Sequence, residues 1–340
     1  MEEQLETREL VVLEGSGVFL RGTLHKASRQ DAESKTGLTE RDRVGIVFLN
    51  SLSIPRASTG DSAVYWADAF AACGYPSFRF DLPGLGDTPG ILATNLLDFI
   101  NGGGYAAITS AKMKELVERF DLSGVVIVGH CAGVVTAVHA ATSCKECKGL
   151  ILMDPYFHLT KALRPKIRQI LSEWARRSRI GGAISDIYDR MRDIRRTVQK
   201  GPLPKNANFP LLAHWKRVAS TGLPILMFKA PGLKSPGMKP RLGEFDYLEY
   251  TLALAGHKGR VEVEFIEGTD HSFADRVGRV AVRQRATIWL SEFFPPLGLQ
   301  KAAQEVPSLE DRAGDGKTEG SQLYAPPLRF EKGTETTTWM

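Results

Sequence analysis

The chain has 340 residues, 43% hydrophobic and 24% charged, with a formal net charge of +5 and a pI near 8.9. That is an ordinary globular composition, long enough for one large α/β domain with an insertion, and the mild basicity alone does not point to nucleic acid. The acidic start, MEEQLETREL, argues against a signal peptide, no run reaches the roughly 18 apolar residues of a membrane span, and Cys73, Cys131, Cys144 and Cys147 are too few for a disulfide framework, so the cytoplasm is the expected location.

Residues 9–13 and 18–24 read as an antiparallel strand pair around Gly15-Ser16-Gly17. A polar loop over 30–43 leads to a buried strand at 44–49, which ends at Asn50-Ser51-Leu52-Ser53. A helix over 63–73 carries Trp66 and Phe70 on its apolar face. The next strand, 76–80, runs into Asp81-Leu82-Pro83-Gly84-Leu85-Gly86-Asp87, whose two aspartates suit loop bracing. After Gly102-Gly103-Gly104 comes a helix over 105–120, then a β-branched strand, Val125-Val126-Ile127-Val128, and another buried strand at 149–153 closing on Asp154-Pro155.

Alternation stops over 158–220, where helical patterns carry 15 Lys+Arg against 4 Asp+Glu. It resumes with a strand at 223–230, a helix at 245–255, a strand at 261–266 and a helix at 280–294; beyond Pro295-Pro296 the chain turns polar and aperiodic. The pattern predicts a mostly parallel eight-stranded sheet with helices on both faces and function at the strands' C-terminal ends. Its core spans 1–157 and 221–295, with a basic helical cap at 158–220 after the sixth strand and a disordered tail at 296–340.

Chemistry concentrates at Gly129-His130-Cys131-Ala132-Gly133. A strand, a Gly-x-nucleophile-x-Gly turn and a small apolar helix form a nucleophile elbow, whose glycines let strand and helix approach. The competing reading is a glycine-rich turn around a buried structural thiol. A nucleophilic cysteine needs its thiolate, hence a histidine partner or a helix N-terminus. His271, in Gly268-Thr269-Asp270-His271-Ser272-Phe273 just past the last strand, is the best-placed candidate; His130 and Asn50 are candidates to line the substrate pocket. The lone Cys144-Lys145-Glu146-Cys147 lacks the second pair a structural zinc would need, and no cofactor or metal is expected.

From about Arg43 to Phe294 these motifs, with Phe80-Asp81-Leu82-Pro83-Gly84-Leu85-Gly86-Asp87, resemble the α/β-hydrolases. Within that superfamily the chain is similar to the exosortase-system-associated hydrolases, which also use an elbow cysteine, through Asn50, Arg79-Phe80-Asp81 and Glu244-Phe245. Dienelactone hydrolase and the polyhydroxyalkanoate synthases are more distant cysteine-elbow relatives. The resemblance implies His271 as base and Ala132 as one oxyanion-hole donor, with Ser51 or Leu52 as the second. An acid should follow the seventh strand, yet residues 230–237 hold no carboxylate, and Lys239 stands where the relatives have aspartate. Glu244 comes first among the substitutes, ahead of Asp246 and Asp154.

The implied activity is hydrolysis of an ester or thioester through a Cys131 acyl-enzyme. The same nucleophile would serve an acyltransferase, and the missing loop acid leaves a non-catalytic binding protein as a further alternative. The basic segment reads as a solvated helical face, or as a positive lid for a small-molecule or carrier-bound anionic acyl substrate.

Overall fold

The structure is a computed structural model and describes residues 7–27, 43–159, 203–230 and 245–296. Eight strands form one sheet in the order β1-β2-β4-β3-β5-β6-β7-β8. They are β1 (Arg8–Leu13), β2 (Leu20–His25), β3 (Val44–Phe48), β4 (Ser77–Asp81), β5 (Gly124–His130), β6 (Cys147–Met153), β7 (Pro224–Lys229) and β8 (Arg260–Phe265). β1 and β2 pair antiparallel, β2 pairs antiparallel with β4, and every later pairing is parallel. The expected fold class is the observed one.

Burial explains the sequence pattern. All residues of β3, β4 and β5 are buried, as a parallel strand covered on both faces requires. One face is covered by α1 (Ser62–Ala72) and the C-terminal helix α7 (Arg276–Phe293), whose Trp66, Phe70, Val282, Ala286 and Trp289 form a single apolar cluster with the sheet. Trp66 Nε1 donates to Arg279 O at 3.1 Å, tying α1 to α7.

The other face carries α2 (Leu96–Asn101), α3 (Ala106–Arg119), α4 (Ala132–Ala141), α5 (Phe209–Ala219) and α6 (Tyr247–Ala255). α2 was not anticipated; it is six residues long, capped where Asn95 Oδ1 accepts from Asp98 N at 3.3 Å. α5 corrects the expected cap boundary. Its Leu211, Leu212, Trp215 and Val218 lie in the core, and Trp215 Nε1 donates to Thr251 O of α6 at 2.8 Å. An apolar stripe on an otherwise basic helix buries against the sheet's covering layer, and its charges do not change that.

Residues 160–202, with most of the basic side chains of the expected cap, lie outside the described residues, as do 231–244 and 297–340. Among the described residues, no helix is long and apolar enough to cross a membrane.

Candidate active site

β5 delivers its last residue, His130, to the sheet's C-terminal edge, and α4 begins at Ala132, leaving Cys131 alone to turn the chain. It does so at φ 51° and ψ −113°, a conformation unfavourable for a side chain with a Cβ. The flanking residue types follow from space. A Cβ on Gly129 would lie 2.6 Å from Gly133 O, and one on Gly133 would lie 2.7 Å from Asn50 O. The second contact also shows that the loop after β3 abuts the start of α4, so Asn50, Ser51 and Leu52 adjoin the elbow.

Cys131 is partly exposed, as a reacting thiol must be. His271 hydrogen-bonds to it and uses Nδ1 for Asp154 Oδ2, which leaves Nε2 for the thiol. Asp154 stands at the end of β6 with φ 48°, its N–H bonded to Phe228 O of β7 at 2.8 Å. The hydrogen bond that the imidazolium donates to Asp154, then that to Cys131, raises the imidazole from 6.5 to about 10 against the opposing effect of burial. For Asp154, burial pushes upward; the bond from His271 and the charge of Lys229 outweigh it and hold the carboxyl below its usual range.

Cysteine, histidine and aspartate therefore meet, and the carboxylate is one of the two ranked behind Glu244 from the sequence. Glu244, ranked first, lies outside the described residues. Asp246 has another occupation: it caps α6, its Oδ1 accepting from Glu249 N at 2.9 Å. Asp270, next to the histidine, accepts from Ser272 N at 2.8 Å and shapes the base's own loop.

Ala132, the first residue of α4, is buried, and a helix's first N–H has no partner within the helix. Leu52 has φ 52°, so the loop turns sharply at the pair expected to supply the second donor. That loop is held by a buried knot. Asn50 Nδ2 donates to Ile54 O at 3.0 Å and to Asp81 Oδ1 at 2.9 Å, while Asn50 Oδ1 accepts from Leu82 N at 2.7 Å. Asp81, fully buried, also accepts from Arg56 N at 2.7 Å and pairs with the Arg56 guanidinium. Arg79, from the same motif, donates to Arg56 O at 3.2 Å.

The Asn50 amide is hydrogen-bonded inside the protein, where it positions the loop. His130 is held as well. Its Nε2 donates to His271 O at 2.7 Å, since a carbonyl can only accept, and Nδ1 is buried without a partner. Burial lowers its pKa, which fits the neutral ring. Both residues line a cavity of about 10 Å³ with Ser51, Ser58, Trp66 and Met153, room for a water and too small for an acyl group.

Two further residues escaped the sequence reading. Lys229 Nζ pairs with Asp154 Oδ1 and lies 3.3 Å from Pro155 O. Tyr156, half-buried near Cys131, donates from its hydroxyl to Asn101 Oδ1 at 3.3 Å. Neither has a sequence signal beyond a position at a strand's C-terminal end. Among the described residues no group of three or more His, Cys, Asp or Glu side chains could hold a metal ion.

The sequence profile of the α/β-hydrolase fold family matches residues 55–212. No curated protein matches the chain in sequence. Among solved structures, DcsB, determined in complex with its substrate analogue, is similar with a TM-score of 0.53 at 14% identity, covering 84% of this chain and 99% of its own. The Pyrococcus furiosus esterase Pf2001 gives 0.53 at 12% identity, covering 86% and 95%. TT1662 from Thermus thermophilus gives 0.51 at 12%, covering 84% and 98%. With the strand order and connectivity above, these likenesses fix the architecture: the chain has the α/β-hydrolase fold.

Proposed function

We propose that the protein is a hydrolase that cleaves an ester or thioester through an acyl group carried on Cys131. One observation carries this reading. Cys131, alone in a left-handed conformation between β5 and α4, meets a histidine whose second nitrogen is bound to a carboxylate. A structural thiol needs neither the strained backbone nor the relay.

In this account the imidazolium of His271 stabilises the thiolate, the nucleophilic form of cysteine. The sulfur attacks the carbonyl carbon, and the oxygen takes up the π-electron pair as an oxyanion. N–H groups of Ala132 and of Ser51 or Leu52 receive it; removing such a donor elsewhere costs about 3 kcal/mol of transition-state stabilisation. As the bond to the leaving group breaks, His271 gives that group its proton. Neutral His271 then takes a proton from water as the hydroxyl adds to the acyl carbon, and collapse releases the acid and the thiolate. Asp154 keeps the Nδ1–H tautomer throughout and stabilises the imidazolium.

A cytoplasmic location suits this chemistry, because the nucleophile and the three other free cysteines stay reduced there. The substrate class, a small-molecule or carrier-bound acyl compound, is read from the mechanism; the anionic preference rests on the basic stretch 160–202, outside the described residues.

The experiment is a burst assay with short acyl-nitrophenyl esters and acyl-coenzyme A thioesters on wild type and Cys131→Ala. A stoichiometric burst with the acyl mass on Cys131 supports the mechanism. Equal turnover by both proteins removes it, and acyl transfer to an added alcohol or amine in preference to water makes the protein a transferase.

A further inference from the structure

The end of β7 is where the fold's usual chain order would lead to the acid, and here it carries a lysine. Lys229 is not idle. Its ammonium holds Asp154 by Oδ1 and lies 3.3 Å from Pro155 O, while Oδ2 of the same carboxylate serves His271. The backbone beneath is fixed as well, through Asp154 N–H to Phe228 O at 2.8 Å. We propose that Lys229 is a positioning residue of the reaction, clamping one carboxylate oxygen so that the other is presented to His271 Nδ1. The proposal rests on the Cys131–His271–Asp154 reading of the site.

The physical case starts from symmetry. A carboxylate on a fixed Cα still rotates about its last side-chain bond, and its two oxygens are equivalent until something distinguishes them. A cation on Oδ1 does so. The pair is shielded, with side-chain exposures of 24% for Lys229 and 16% for Asp154, so it is stronger than an ion pair in open water. Asp154 thereby joins two strands and the base: β6 supplies the carboxylate, β7 the clamp, and the loop after β8 the imidazole. Other charged or titratable described side chains near this meeting point are Cys131 and the neutral His130 from the elbow, Tyr156 after β6 and Asp270 beside the base. Among the described residues, the hydrogen bond to Asp154 Oδ1 comes from Lys229.

The test is the proton resonance of His271 Nδ1–H, which a strong bond to a carboxylate moves far downfield, read with kcat and KM on a nitrophenyl ester. Wild type, Lys229→Met, Lys229→Gln and Lys229→Arg are compared, with the resonance assigned by its loss in His271→Gln. Lys229→Met is expected to move the resonance upfield or broaden it away, and to lower kcat by about 10²-fold with KM changed by less than about twofold. Lys229→Arg should restore both, and Lys229→Gln, which keeps an N–H for Oδ1, should fall between and serves if the Met variant does not fold. An unchanged resonance and kcat in a folded Met or Gln variant would overturn the proposal. Absence of both the resonance and Cys131-dependent turnover in wild type would instead overturn the reading beneath it.

Discussion

His271 Nδ1 bonds to Asp154 Oδ2 across 117 residues of sequence, joining the loop after the last strand to the end of β6. This contact makes Asp154, rather than a residue after β7, the partner of the base. Asp154→Asn should therefore lower kcat/KM by about 10²- to 10⁴-fold, while Asp246→Ala, which removes only a helix cap, should cost stability of about 1 kcal/mol and little rate. Steady-state kinetics beside thermal melting separates the two, and a large rate loss in the Asp246 variant would count against the assignment.

The imidazole titrates near 10 because the folded protein favours its charged form. An imidazolium that donates to the leaving group is then present through neutral pH and disappears as pH rises toward 10. The alkaline limb of kcat/KM should fall there, and Asp154→Asn, by removing a negative charge, should move it downward. By the same linkage, stability from this group is complete below its unfolded value of 6.5 and lost as pH rises through about 10; half-exposure of the ring keeps that contribution modest. A limb near 6.5 in wild type would contradict the geometry.

Gly133→Ala would put a methyl 2.7 Å from Asn50 O, and Gly129→Ala one 2.6 Å from Gly133 O. Both obstacles are backbone. Each substitution should destabilise the fold by about 1–3 kcal/mol, seen as a lower Tm, and Gly133→Ala should also displace the loop carrying Ser51 and Leu52. A Gly133→Ala protein as stable and active as wild type would refute the close packing.

Burial pushes the Cys144 thiol up to about 11 and that of Cys147 higher still. Iodoacetamide at neutral pH should therefore label Cys131 and the exposed Cys73 while sparing the CxxC pair. Peptide mass spectrometry reads this directly; rapid labelling of Cys144 would show that α4's far end opens readily.

Removing the buried Asp81 carboxylate should be costly. Asp81→Ala removes an acceptor from Asn50 Nδ2, from Arg56 N–H and from the Arg56 guanidinium, which keeps Asp87 as its other partner, and losing such buried hydrogen bonds costs about 1–3 kcal/mol. Asp81→Asn, which keeps an acceptor, should melt higher than Asp81→Ala; the reverse order would deny the knot its role.

How much of this was legible in the sequence depends on locality. β3 and β5 announce themselves as unbroken apolar runs, Val44–Phe48 and Val125–Val128, because both their faces are covered. Cys131 and His271 were readable from their flanks, since a strained turn demands glycines two residues on either side. Asp154 was readable only as one of three candidate acids, because Asp-Pro after a strand reads equally well as a turn and its partner lies in another loop. The structural task of Asn50 was hidden for a related reason. A polar residue at a strand's C-terminal end suggests a pocket, and only tertiary structure shows both ends of its amide consumed by Ile54, Asp81 and Leu82. In 158–220 the net charge hid the apolar stripe of α5, which the spacing of Leu211, Leu212, Trp215 and Val218 displays once charge is set aside.

The measurement that bears most directly on the central claim is intact-protein mass spectrometry after rapid quenching with a short acyl-nitrophenyl ester. One acyl group per chain, mapped to Cys131 and absent from Cys131→Ala, is the predicted result. Turnover that continues undiminished in Cys131→Ala, with no adduct on the wild-type cysteine, would contradict it.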